Sequence, residues 1–268
     1  MKVVRTKSEL RAALEPFRAG RVGLVPTMGA FHEGHLALLR AARRDCGTVV
    51  CSLFVNPTQF GQSEDLERYP RSGARDRELA RAEGVDFLFA PAPEEMYPPG
   101  FETWVEPERL ALELEGVIRP THFRGVATIC LKLFNIVRPN VAYFGSKDAQ
   151  QLAVIERIVR DLDLELEIHP VETVRDSDGL ALSSRNSYLS PAERRIALAL
   201  PRALALGAKA KRDGGDPVAA ARTALDEEPG LKTQYVATRD YSGPRVLAAV
   251  QVGQTRLIDN VSLKGSKR

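Results

Sequence analysis

Cysteine is nearly absent from this chain: Cys46, Cys51 and Cys130 are the only three in 268 residues, and none are in Cys-x-x-Cys spacing. That excludes a disulfide-stapled fold and a cysteine-built zinc centre, and it predicts reduced, buried thiols. No apolar run approaches the roughly 18 residues of a membrane helix, and no apolar signal core opens the chain. Neither sign of charge dominates. Thirty-eight Lys and Arg against 35 Asp and Glu leave a formal net charge of +3, too balanced for a nucleic-acid or membrane surface. The expectation is a soluble, cytoplasmic chain with no nucleic-acid or membrane partner. Three fingerprints are missing as well. There is no G-x-G-x-x-G, no G-x-x-x-x-G-K-[ST] and no G-x-S-x-G.

What is present is an alternation of strands and helices. Thr6-x-x-Glu9 is a capping-box pattern that starts a first helix, ending near Gly20. Strands are expected near 22–25, 48–55, 85–90, 141–144 and 165–174. Helices are expected near 34–45, 73–83, 121–137 and 148–162. The strands are nearly continuous apolar runs, which suits parallel strands covered on both faces. The pattern predicts an α/β fold: a Rossmann-like, doubly wound parallel sheet. Residues 91–120 read as an irregular excursion with a short helix over Pro107–Glu113. The character changes near 175. Ser190-Pro191-Ala-Glu193 is a second capping box, followed by a long helix that Pro201 kinks or divides. Another helix starts after Asp213–Pro217, and a small sheet follows, with a hairpin at Gly253-Gln254. Residues 1–174 and 175–268 are thus read as two domains, the second a smaller α+β domain.

The chemistry begins at residues 21–42. The strand from Val22 runs into Pro26 and a glycine-containing turn, and a helix opens near Gly34. His32 and His35, two of the four histidines, sit at the junction. A strand-to-helix turn with free backbone N–H groups is an anion site. Two imidazoles three residues apart share a helix face. Polyphosphate binding and activation fits this arrangement better than hydride transfer. Zinc ligation by His-x-x-His is an alternative, but no third ligand lies at metal spacing. A structural role for both rings is another.

Four more patches carry polar chemistry near strand ends. Asn56-Pro-Thr-Gln59 offers amides to a hydroxylated or carboxylated substrate, or else stabilises its own loop. Gly145-Ser-Lys147-Asp148 and Gln151 place a lysine for phosphate, with Asp148 also suited to capping the next helix. Val174 to Asn186 is a polar loop whose hydroxyls and Arg185 can clamp phosphates as a lid, or serve as a solvated linker. Arg119 to Gly125 leads into an amphipathic helix, with roles divided between substrate and helix start. With no nucleophilic triad and no paired carboxylates, catalysis by positioning and charge neutralisation remains.

Taken together these residues resemble the pantothenate synthetase (pantoate–β-alanine ligase) family, within the nucleotidyltransferase and class I aminoacyl-tRNA synthetase-like superfamily. The resemblance rests on Pro26-Thr-Met-Gly-Ala-Phe-His-Glu-Gly-His35, Phe54-Val-Asn-Pro-Thr-Gln-Phe60, Tyr69-Pro-Arg71, Arg119-Pro-Thr-His-Phe-Arg-Gly125, Phe144-Gly-Ser-Lys-Asp148 with Gln150-Gln151, and Ser183-Ser-Arg-Asn186. It implies a two-step ligation. Pantoate carboxylate attacks the α-phosphate of ATP, giving pantoyl adenylate and pyrophosphate. The amine of β-alanine then attacks the acyl carbon, giving pantothenate and AMP. It also implies Mg2+ accompanying ATP, no protein-borne metal, and a homodimer.

Residue by residue, the resemblance implies that Met28, Gly29, Ala30, Phe31, His32, Glu33, Gly34 and His35 form part of the ATP site, with His35 as the proton donor. It puts Gly145, Ser146, Lys147 and Asp148 on ATP, Lys147 at the phosphates and Val174 by the adenine. Leu182, Ser183, Ser184 and Arg185 become the mobile phosphate-binding loop. The catalytic set is then His35, His32, Lys147, Ser183, Ser184 and Arg185. Gln59 and Gln151 hold pantoate, with Asn56, Tyr69 and Arg119 beside them as further substrate-site residues. The sequence departs from the family at Leu182, where Met is common, and at Ser146, where Glu is common. These departures bear on affinity and not on the reaction. The alternative is a related nucleotidyltransferase acting on another small substrate. Retention of His32, His35, Lys147 and Arg185 argues against a non-catalytic nucleotide-binding module.

Overall fold

The computed structural model describes residues 1–62 and 64–264. The chain forms two compact units. One joins Met1–Gly145 to Gln150–Val171, and the other joins Ser146–Ala149 to the residues from Glu172 onward. Segment 146–149 thus belongs with the second unit, although it lies far before the expected boundary at 174.

The first unit carries strands β1 (Lys2–Val4), β2 (Val22–Thr27), β3 (Thr48–Leu53), β4 (Phe87–Phe89), β5 (Val141–Gly145) and β6 (Glu167–Val171). Its helices are α1 (Lys7–Leu14), α2 (Glu33–Asp45), α3 (Gly73–Ala82), α4 (Pro93–Met96), α5 (Glu115–Ile118), α6 (His122–Val137) and α7 (Ala149–Asp161), whose first residue falls in the second unit. The strands pair in the order β1-β4-β3-β2-β5-β6, all parallel. Successive strand residues face opposite sides, so Leu24 enters one core with Leu10, Phe134 and Ile155, while Val25 enters another with Leu39, Ala80 and Tyr143. Both faces of β2 are buried, as its apolar run predicts. Strand order reverses at the β2–β5 pair, the position where such sheets bind ligands beyond their carboxyl ends.

The capping box at α1 forms: Thr6 Oγ1 accepts from Glu9 N at 3.2 Å and Glu9 Oε2 from Thr6 N at 3.1 Å. The helix ends at Leu14, short of Gly20, and passes into a 3-10 turn over Glu15–Phe17. Strand β1 has no counterpart among the expected strands. It has three residues at a sheet edge, too few for a periodic signal. Nor does a helix form over Pro107–Glu113. A 3-10 turn at Arg109–Ala111 stands there, and Leu114 at φ 45° breaks the backbone before α5.

The second unit carries α8 (Pro191–Ala197), α9 (Ala199–Arg212), α10 (Pro217–Asp226), β7 (Leu231–Asp240), β8 (Pro244–Val252) and β9 (Thr255–Ser262). The strands form an antiparallel sheet in the order β7-β8-β9. The expected long helix divides at Leu198, which puts Pro201 in the first turn of α9, where its missing N–H is harmless. Asp216 caps α10, accepting from Val218 N at 2.8 Å. Leu200, Leu204 and Leu225 pack against Val246, Val250 and Leu257.

Candidate functional site

The first unit builds its polar cluster on the turn after β2. Gly29 (φ 89°) and Ala30 (φ 53°) both adopt left-handed conformations. For alanine this costs about 1–2 kcal/mol. The cost is offset by Asp76, a residue of α3 that is 1% exposed. Its Oδ2 accepts from Ala30 N at 2.9 Å and its Oδ1 from Phe31 N at 2.8 Å. Hydrogen bonds to a charged group are worth about 1.5–3 kcal/mol each, so the carboxylate wins. The backbone N–H groups expected to be free for an anion are therefore taken at Ala30 and Phe31 by a protein carboxylate.

The histidines complete the turn. Helix α2 begins at Glu33, and His32 is its N-cap. His32 Nδ1 accepts from Gly34 N at 3.1 Å, and His35 Nδ1 accepts from His32 N at 3.4 Å. This is a capping box made of two imidazoles. The rings lie side by side with centroids 4.2 Å apart. Because both Nδ1 atoms accept, the neutral form of each ring is the tautomer with its proton on Nε2.

A second cluster follows β3. Asn56 is buried, and the protein satisfies its whole side-chain amide. Nδ2 donates to Gln59 Oε1 and to Gly125 O, both at 3.1 Å, while Oδ1 accepts from Thr58 Oγ1 at 3.0 Å and Tyr97 OH at 2.9 Å. Through the first of these bonds Asn56 fixes Gln59. Gln59 Nε2 lies 3.0 Å from Met28 Sδ, which links this cluster to the histidine turn. The Gln59 carbonyl accepts from Arg119 Nη2 at 3.3 Å and pairs with His122 Nδ1 at 3.0 Å. A Cβ on Gly125 would lie 2.5 Å from Thr58 O, so glycine is needed for α6 to approach this turn.

Arg119 is directed into the protein. Its Nη2 lies 2.6 Å from Glu64 Oε2, and its Nε donates to Oε1 at 3.0 Å. Burial opposes ionisation of Glu64, but the two bonds from Arg119 outweigh it and hold the carboxyl below its usual value. Burial, with Arg119 nearby, pushes His122 down to about 4, so its ring is neutral at physiological pH. Tyr69 packs edge-on against Phe60, with centroids 5.7 Å apart. Gln150 and Gln151 diverge. Gln150 is buried, with Nε2 donating to Leu110 O and Glu113 O and Oε1 accepting from Glu115 N. Among the described residues the Gln151 side chain makes no hydrogen bond, which leaves its amide available to a ligand.

The second unit holds the remaining candidates. Ser146 is buried, whereas Lys147 and Asp148 are half-buried and directly precede α7. The loop expected from Val174 onward is a tight hairpin: Leu182 N donates to Val174 O at 3.0 Å, Arg175 pairs with Ala181, and Gly179 turns the chain at φ 90°. Arg175 is doubly bonded to Asp259 at 2.6 and 3.0 Å. Arg194 adds ion pairs to Asp176 and Asp178. Ser183 caps the 3-10 helix Ser184–Tyr188, accepting from Arg185 N at 3.3 Å, and Asn186 Nδ2 donates to Ala181 O at 3.0 Å. The segment bearing Ser183, Ser184 and Arg185 is thus tied to its own unit at several points.

Sequence reasoning missed the residues that hold these segments. For Asp76 a signal existed: a carboxylate four residues before Ala80, on the buried stripe of a helix. For Asp259 and Asn260, adjacent on a strand, no comparable signal exists. Among the described residues no group of three or more His, Cys, Asp and Glu is placed to hold a metal ion, and no helix is long and apolar enough to cross a membrane.

The fold defines a doubly wound α/β protein with a second, smaller unit built on an antiparallel sheet. The model of the pantoate-beta-alanine ligase family matches residues 2–262. A pantothenate synthetase of Moorella thermoacetica is 54% identical over 257 residues, 91% of this chain and 91% of that protein. The crystal structure of a pantothenate synthetase from Thermus thermophilus matches with a TM-score of 0.95 and 48% identity, covering 99% of this chain and 100% of that one. A pantoate-beta-alanine ligase from Francisella tularensis, complexed with beta-gamma ATP and beta-alanine, matches with a TM-score of 0.86 and 33% identity over 99% of both chains. The chain belongs to the pantoate–β-alanine ligase family. It is an enzyme, and its class is the ligases of pantothenate biosynthesis.

Proposed function

We propose that this chain condenses pantoate with β-alanine, converting ATP to AMP and pyrophosphate through a pantoyl adenylate. The observation that carries the reading at the level of chemistry is the histidine pair. Two imidazoles sit beyond the central strand as the capping pair of α2, each with Nδ1 accepting from a backbone N–H group. His32 and His35 bind the phosphates of ATP, and His35 donates to the α-phosphate oxygen as negative charge shifts toward pyrophosphate. Fixed donors of this kind act most strongly on charge that develops in the transition state. Met28 to Gly34 form the surrounding ATP contact.

Gln59 and Gln151 hold pantoate with its carboxylate toward the α-phosphorus. Two amides suit a ligand with both hydroxyl and carboxylate groups. Arg119, Asn56 and Tyr69 act on this substrate through Gln59 and its loop. Lys147 neutralises the β- and γ-phosphates. Val174 lies by the adenine, and Leu182 to Arg185 hold phosphate with two hydroxyls and a guanidinium. Gly145, Ser146 and Asp148 complete that contact. The catalytic domain is then 1–174, and 175–268 carries the phosphate-binding loop. In the first step the carboxylate oxygen bonds to the α-phosphorus and pyrophosphate leaves. In the second, the β-alanine nitrogen bonds to the acyl carbon, AMP leaves and the amine loses a proton.

Mg2+ enters with ATP as part of the substrate. We further propose a cytoplasmic homodimer. Leu112, Val117 and Ile118, exposed in the 91–120 excursion, support self-association. The decisive experiment is pyrophosphate release from Mg-ATP. Release that requires pantoate, followed by AMP and pantothenate once β-alanine is added, is the expected result. A folded, ATP-binding protein with no pantoate-dependent release would favour a nucleotidyltransferase for another small substrate.

A further inference from the structure

Two segments assigned to ATP, 146–148 and 174–185, are distant in sequence but end on the same two residues. Asn260 is buried in β9. Its Nδ2 donates to Ser146 O at 2.9 Å and to Lys147 O at 2.8 Å, one proton to each, while its Oδ1 accepts from Arg245 Nη1 at 2.6 Å. Its backbone N donates to Asp259 Oδ1 at 2.7 Å. Asp259, also buried, takes the fork of Arg175 on both oxygens, and the same guanidinium donates to Gly179 O at 3.1 Å and to Asn260 O at 3.5 Å. Neighbouring side chains on a strand face opposite ways, so one strand position can serve two segments. Such a network exceeds what the C-terminal sheet needs to fold, because Leu257, Val250 and Val246 already form its core.

We propose that Asp259 and Asn260 are a paired positioning element for ATP. Asn260 sets the backbone that carries Lys147, and Asp259, through Arg175, sets the hairpin that carries Val174 and leads to Ser183–Arg185. Neither touches a reacting atom. The inference rests on the assignment of Lys147 and Ser183–Arg185 to ATP.

The test measures binding of a non-hydrolysable ATP analogue by calorimetry, alongside pantoate-dependent pyrophosphate release. Asn260→Asp is isosteric, removes both donors and sets a carboxylate against two carbonyls. It should weaken analogue binding by about tenfold or more, while the KM for pantoate changes less than about twofold. Lys147→Ala combined with Asn260→Asp should bind no worse than Lys147→Ala alone, since the asparagine acts through that segment. Should Asn260→Asp fail to fold, Arg175→Gln, at a partly exposed side chain, carries the test and should weaken the analogue several-fold with the KM for pantoate unchanged. A lower melting temperature with unaltered analogue affinity, parallel losses for both substrates, or additive effects in the double variant would overturn the proposal. Wild-type protein that binds the analogue but releases no pyrophosphate with pantoate would count against the ligase reading alone.

Discussion

The turn after β2 and the segment after β5 both leave buried strands, yet they are held in opposite ways. At Ala30 and Phe31 the backbone presents N–H donors, and the Asp76 carboxylate receives them. At Ser146 and Lys147 it presents carbonyl acceptors, and the Asn260 amide supplies two protons. The difference shows what selects a supporting residue. A buried turn must satisfy whichever backbone polarity its conformation exposes, so donors call for a carboxylate and acceptors for an amide. The side chains that meet the ligand are set by the chemistry, whereas those behind them are set by the backbone.

Removing a ligand-facing group should have the largest effect. His35→Ala should slow adenylate formation by about 10²-fold or more, the scale for losing a transition-state donor. Unchanged single-turnover pyrophosphate release would remove His35 from the mechanism. Asp76→Asn should act one layer behind. Its amide sets a donor against one of the two backbone N–H groups, costing about 1–3 kcal/mol of stability and loosening the histidine turn. Thermal unfolding and ATP kinetics check it, and a variant as stable and active as wild type would break the comparison.

Gln59→Ala should raise the KM for pantoate by about tenfold and leave that for ATP nearly unchanged. Equal losses would contradict its assignment. The smallest effect concerns pH. Burial depresses His122 to about 4 in the folded chain, against about 6.5 when unfolded. Between these values the unfolded state binds more protons, so this contribution is present in full above about 6.5 and is lost as pH falls toward 4. From pH 7 to about 5.5 it should remove about 1 kcal/mol. His122→Asn should flatten the fall in melting temperature over that interval, and an unchanged slope would reject the buried neutral imidazole.

Much of the sheet is legible in the sequence, because apolar runs such as Thr48–Leu53 and capping boxes such as Thr6–Glu9 are local signals. So are the residues of the candidate site, since His32, His35, Gln59 and Lys147 lie beside strand ends. The reach of one element to another is not legible. In sequence Arg119 reads as serving substrate or helix start, and nothing there points to Glu64, 55 residues away, with which the fold pairs it. The 174–186 loop reads as a phosphate lid or a solvated linker, and nothing in it points to Asp259, 84 residues beyond Arg175, which binds that arginine. Sequence spacing carries no information about such partners, because tertiary packing alone brings them together.

The central claim, carboxylate attack on the α-phosphate, is tested most directly by oxygen transfer. Pantoate labelled with 18O in its carboxylate is turned over with Mg-ATP and β-alanine, and the AMP is examined by mass spectrometry. The account predicts one labelled oxygen in each AMP, since that oxygen bridges carbon and phosphorus in the adenylate and leaves with the phosphate. Unlabelled AMP, with pantothenate formed, would contradict it.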